Sequence, residues 1–126
     1  MSIVKARPMH LNLFVMKFPI TAISSIGHRI SGIWIFICLP FLLLMLQESL
    51  ANLESFSNIS NKFNNIYYKL FLLSFLIASI YHAIAGIRHI IMDLGFMESK
   101  NESKVTSWIV IISSIIIFLF LGFYLW

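Results

Sequence analysis

Charge is what this sequence has least of. Only 11% of its 126 residues are charged, against 60% that are hydrophobic, and the mean hydropathy is +0.92. So little polar surface excludes a disordered chain and an ordinary soluble domain, and leaves an integral membrane protein. Cysteine is represented once, by Cys38 in an apolar stretch, so no internal disulfide can form and the redox compartment cannot be read from it. The three prolines stand far apart, at Pro8, Pro19 and Pro40. Basic residues outnumber acidic ones nine to five, yet no run of them tracks a nucleic-acid backbone, so no nucleic-acid partner is expected. No compact apolar segment with a small-residue cleavage site is apparent near the start, and no repeat, low-complexity tract or second domain is visible.

What remains is apolar sequence in three long runs. At about 20 residues per crossing, the chain has room for three membrane helices and little else. We place them at about 24–47, 65–90 and 105–126, in an all-α membrane bundle with an interfacial N-terminal segment. That segment, residues 1 to about 20, is amphipathic and bracketed by Pro8 and Pro19; a surface helix and a solvated arm fit its composition equally. Pro40 is expected to kink the first helix unless neighbours satisfy the freed carbonyl. Residues 47–65, rich in Asn and Ser, read as a polar connector with weak helical character. The third helix is almost wholly apolar and reads as scaffold. Three helices make a thin bundle, too small to enclose a large cofactor alone, so a partner chain is expected.

Chemistry is concentrated at two places. The first is Thr21 to Gly32, where helical spacing puts Ser24, His28 and Ser31 on one stripe and Ser25, Arg29 and Gly32 on the next. An arginine there can snorkel to the interface, and small residues can serve close packing, but neither accounts for two serines and a histidine on one side. The second is Tyr81 to Asp93, which puts His82 inside an apolar run. An intramembrane ionisable group is a functional candidate by default. Gly86 lies one turn from His82 and His89 two turns away, so a planar ligand could approach the backbone. Imidazole is a common haem ligand, and it is equally able to hydrogen-bond a neighbouring helix.

Orientation follows from the basic residues. Lys5, Arg7, Lys17, Arg29, Arg88, Lys100 and Lys104 fall on one side of the membrane, and only Lys62 and Lys69 on the other. The positive-inside rule then puts the N-terminus in the cytoplasm (or matrix), with both chemical clusters near that face. Counting about 1.5 Å per residue inward puts His28 roughly 7 Å deep and His82 roughly 15 Å deep. On that reading the two do not share one iron, and a six-coordinate haem would draw its second histidine from another subunit.

Two patterns carry a family resemblance. One is Arg7-Pro8 continuing to Ser25-x-x-His28-Arg29-x-Ser31; the other is His82-x-x-x-Gly86-Ile87-Arg88-His89, ending at Met92-Asp93-x-Gly95. Together they resemble the cytochrome b membrane-anchor family of succinate dehydrogenase, respiratory complex II. The resemblance implies that His82 is an axial ligand of haem b, with the other axial histidine on a second small anchor subunit. It implies that Ser25 and Arg29 belong to a ubiquinone site completed by the iron–sulfur subunit and that second anchor. His28 and Arg29 would lie near the haem propionates, with Gly86 and His89 in the haem surroundings. It further implies a flavoprotein subunit in the same complex and residence in the bacterial inner membrane, or the mitochondrial one for an organelle-encoded chain. The competing expectations are a haem-free anchor of a fumarate reductase-like complex, a proton-conducting subunit using Arg88, His82 and Asp93 as a relay, and a passive anchor.

Overall fold

The computed structural model describes residues 18–125, and the interfacial segment expected over the first residues lies outside them up to Lys17. Four helices follow one another: α1 (Ile20–Ala51), α2 (Leu53–Lys62), α3 (Ile66–Asp93) and α4 (Lys100–Leu125). Among the described residues there is no strand. The protein is all-α, and α1, α3 and α4 are each long and apolar enough to cross a membrane. At about 1.5 Å per residue they are about 48, 42 and 39 Å long, longer than the ~30 Å hydrocarbon core.

Local chemistry sets the ends. Pro19, extended at φ −64° and ψ 149°, stands before the first turn of α1, and its carbonyl accepts from the amides of Ala22 and Ile23. The helix runs unbroken across Pro40 to Ala51. The connector then turns at Asn52, whose side-chain oxygen accepts from the Ser55 amide at 2.8 Å and caps α2. This amphipathic helix lies back on α1, with Ile59 buried and Lys62 bonded to Glu48 at 3.1 Å. The stretch expected to be weakly helical is therefore a capped helix. Asn65 caps α3 in the same way through the Tyr67 amide.

The other end of α3 explains the glycine of the second pattern. The Phe96 amide donates to Ile91 O and the Gly95 amide to Met92 O, the paired bonds that close a helix when the residue between them is left-handed. Gly95 takes that role at φ +85°. Three residues on, Ser99 and Glu102 exchange side-chain-to-amide bonds, both 3.3 Å, in a capping box that starts α4 at Lys100.

Packing follows a seven-residue repeat of small side chains. On α1 the buried positions are Ser24, Ser31 and Cys38; on α3 they include Ala78 and Ala85; on α4 they include Ser107 and Ser114. Large residues point outward, as Ile33, Phe36, Leu44, Ile116 and Phe120 do. In lipid, apolar side chains gain little by leaving hydrocarbon, so helices associate where small residues let backbones approach. The buried serines remain satisfied by turning back on their own helices, as Ser107 does to Ser103 O at 2.8 Å and Ser114 to Val110 O at 2.6 Å.

Replacing Gly95 by Ala forces a Cβ into the left-handed region, and we expect a loss of about 1–2 kcal/mol. Gly122, inside α4 with open space around it, is the opposite case, and Ala there holds or raises stability. Thermal unfolding of the purified complex, followed by circular dichroism, distinguishes the two.

Candidate functional site: a histidine cluster between the first and third helices

The seam of α1 brings the first stripe onto α3, and three imidazoles meet there. The rings of His28 and His82 stack with centroids 4.2 Å apart at 19°, and His89 lies against the other neighbour at 5.0 Å and 37° from His28. All three are half-buried. Depth counting separated His28 from His82 by more than a turn, and the structure corrects that. Both rings lean into one gap because the facing helix offers a glycine to each. A Cβ on Gly32 would stand 2.9 Å from His82 Cε1, and one on Gly86 would stand 3.5 Å from His28 Nε2. The hollow beside Gly86 thus holds this chain's own His28.

One turn away the pattern repeats. Tyr81 lies over Gly27, where a Cβ would meet its hydroxyl at 2.8 Å, and that hydroxyl donates to Ser24 O at 3.0 Å. Three consecutive facing pairs therefore fix the rotation of α3 on α1.

His82 is held by one edge. Its Nδ1 lies 3.1 Å from His28 O and 3.1 Å from Ser31 Oγ, while the Ser31 hydroxyl donates to His28 O at 2.8 Å. A carbonyl can only accept, so the arrangement is satisfied with the proton on Nδ1. In the neutral ring that leaves the lone pair on Nε2, and among the described residues Nε2 has no hydrogen-bond partner. Stacked rings present faces to one another rather than lone pairs. The three histidines accordingly form no chelate, and the described residues contain no group of three His, Cys, Asp or Glu able to hold a metal.

Arg88 takes a different course from the rest of its cluster. It turns away from the histidines into the α3–α4 seam, where it is only 7% exposed. Its Nε donates to Thr106 Oγ1 at 3.0 Å, and Nη2 donates to Ser103 Oγ at 2.9 Å and Ser103 O at 3.2 Å. The apolar α4 therefore carries a polar anchor for a buried cation. The relay expected to link Arg88 with His82 and Asp93 is not assembled, since Arg88 is engaged by α4 and Asp93 is exposed.

Ser25 is half-buried and Arg29 exposed, on the stripe beside His28 that leaves the bundle; among the described residues neither side chain makes a hydrogen bond. A cavity of about 470 Å³ lies at the opposite end of α1, lined by residues such as Phe41, Met45, Glu48, Lys62 and Tyr67, and contains none of the predicted site residues. Sequence reasoning missed Ser31 and Gly32 as partners of His82. Their places on adjoining stripes were visible, but nothing in one sequence sets the register of two helices.

Three long apolar helices joined along small-residue seams, with three histidines clustered between two of them, define a multi-pass membrane protein. The profile of the family described as succinate dehydrogenase/fumarate reductase transmembrane subunit matches residues 4–121, and the chain belongs to that family. It is 40% identical over 121 residues to the succinate dehydrogenase cytochrome b556 subunit of Coxiella burnetii (strain RSA 493 / Nine Mile phase I), covering 95% of this chain and 97% of that one. It is 34% identical over 118 residues to the cytochrome b560 subunit of Chondrus crispus, covering 88% and 91%. To the cytochrome b560 subunit of Reclinomonas americana it is 32% identical over 110 residues, covering 83% and 76%.

The facing glycine is testable. Gly32→Val overpacks the contact with His82, and we expect a loss of about 1–3 kcal/mol. The check is the thermal midpoint of the purified complex.

Proposed function

We propose that the chain is the haem-b-binding membrane anchor of a succinate:ubiquinone oxidoreductase and contributes part of its quinone-reduction site. The observation that carries this reading is His82, with Nδ1 engaged by α1 and Nε2 free. An iron-bound histidine characteristically donates its other ring N–H to a carbonyl, which fixes the tautomer and raises the basicity of the ligating nitrogen. The donor set fits an axial ligand, and this reading assigns the second axial histidine to another anchor subunit. His28 and Arg29 are the residues of this chain that would receive the haem propionates, with His89 in the haem surroundings and Gly86 giving His28 room there. Haem b, once bound, supplies one-electron redox chemistry whose potential is set by ligation and burial.

Ser25 and Arg29 have the quinone role in this reading. Reduction places negative charge on carbonyl oxygens, and a hydroxyl with a guanidinium supplies charge-assisted donors to them. Both project from the bundle beside His28, where a quinone could be enclosed by the iron–sulfur and second anchor subunits. With the N-terminus cytoplasmic, protons reach that rim over a short distance from water. The names of the relatives, cytochrome b subunits of succinate dehydrogenase, support an assembly with other subunits of such a complex, and this reading assigns the flavoprotein among them.

Arg29→Leu lowers quinone reduction by about 10²–10³-fold, the scale of losing one charge-stabilising donor, while succinate-driven reduction of a soluble acceptor persists. Equal quinone turnover in variant and parent complexes removes Arg29 from the site. His82→Leu abolishes the reduced b-type absorption band; a band that survives places the ligand elsewhere.

A further inference from the structure

We propose that Ser31 is a positioning residue that, with the main-chain carbonyl of His28, holds His82 in the tautomer protonated on Nδ1. The inference deepens the reading of His82 as an iron ligand and rests on it. Three distances define the device: His82 Nδ1 to Ser31 Oγ at 3.1 Å, His82 Nδ1 to His28 O at 3.1 Å, and Ser31 Oγ to His28 O at 2.8 Å. The Nδ1 proton is shared between two oxygens, and the hydroxyl proton goes to the carbonyl. Every donor then has an acceptor.

The opposite tautomer fails on the same geometry. An unprotonated Nδ1 would set its lone pair 3.1 Å from a carbonyl lone pair, with no proton between them. Ser31 could then serve Nδ1 only by rotating its own proton away from His28 O. Burial adds to the discrimination: Ser31 is 7% exposed, so water cannot substitute for the lost partner. Gly32 completes the arrangement, since its missing Cβ lets the imidazole come close enough for the shared bond. Ser31 touches no reacting atom; it acts only through His82.

A hydrogen bond from Nδ1 makes Nε2 the stronger donor and stabilises oxidised iron, so weakening it raises the haem potential and loosens the haem. The test uses the whole complex in a graded series, Ser31→Thr, Ser31→Cys and Ser31→Ala, with Ser24→Ala as a control on the same seam one heptad away. Two readouts are taken: the midpoint potential of the reduced b-type band, and the rate at which apomyoglobin withdraws haem. Ser31→Thr keeps the hydroxyl and matches the parent. Ser31→Cys is intermediate, and Ser31→Ala raises the potential and speeds haem withdrawal at least ~10-fold, the low end of such outer-shell effects. Ser24→Ala changes neither. Parental potential and withdrawal rate in Ser31→Ala and Ser31→Cys, in complexes whose band His82→Leu abolishes, overturn the proposal while leaving the ligand in place. A band that survives in His82→Leu overturns both together.

Discussion

Close approach of backbones is the constraint from which the rest of this structure follows. In a hydrocarbon solvent an apolar side chain has nothing to flee, so large residues give a helix no reason to choose one neighbour over another. Small side chains do, because they let main chains come near enough for polar groups to reach across. The seams at Ser24/Ser31/Cys38, Ala78/Ala85 and Ser107/Ser114 repeat every seven residues, and each cross-helix hydrogen bond that joins α1 to α3 at the histidine cluster lies along them. Arg88, one turn past Ala85, reaches α4 beside its seam, at Ser103 and Thr106.

Within that frame the histidine cluster is a consequence of where side chains are missing. Gly27, Gly32 and Gly86 are each opposed by a ring: Tyr81, His82 and His28. Each ring is therefore planted against backbone on one side, and for His28 and His82 against the partner ring as well, which gives His82 a defined edge for hydrogen bonding. The two helices run antiparallel, so Ser31 meets His82 while His28, one turn earlier, reaches towards Gly86 and His89.

Much of this was legible in the sequence, and the reasons for the rest are physical. Long apolar runs gave the three spans, and the stripe Ser24, His28, Ser31 proved to be the buried face of α1, because helical periodicity is a property of one helix. The start of α4 was legible too, in Ser99 and Glu102 at capping-box spacing, but the hydrophobic run begins later and masked it. What one sequence does not contain is the rotation and register of one helix against another. That is why counting residues inward separated His28 from His82, and why Arg88 was grouped with His89 although the two lie on adjacent faces that meet different helices. The serines of α4 were read as inert for the same reason: their value depends on what α3 presents to them.

The faces of the bundle also differ in how completely they are paired, and that difference bears on what the chain requires. Inside, every polar group has an answer within the chain: Arg88 has three oxygen contacts, Ser107 and Ser114 have their own carbonyls, and among the described residues no buried side-chain nitrogen or oxygen lacks a partner. On the outer stripe of α1, Ser25 and Arg29 have none from the described residues, and neither has the Nε2 of the half-buried His82 on α3. In water that asymmetry would be unremarked, since solvent would complete each shell. Near hydrocarbon an unpaired polar group costs several kcal/mol, on the order of the whole net stability of a small domain. On the reading proposed above, that bare stripe is where another subunit and the quinone would complete the chain.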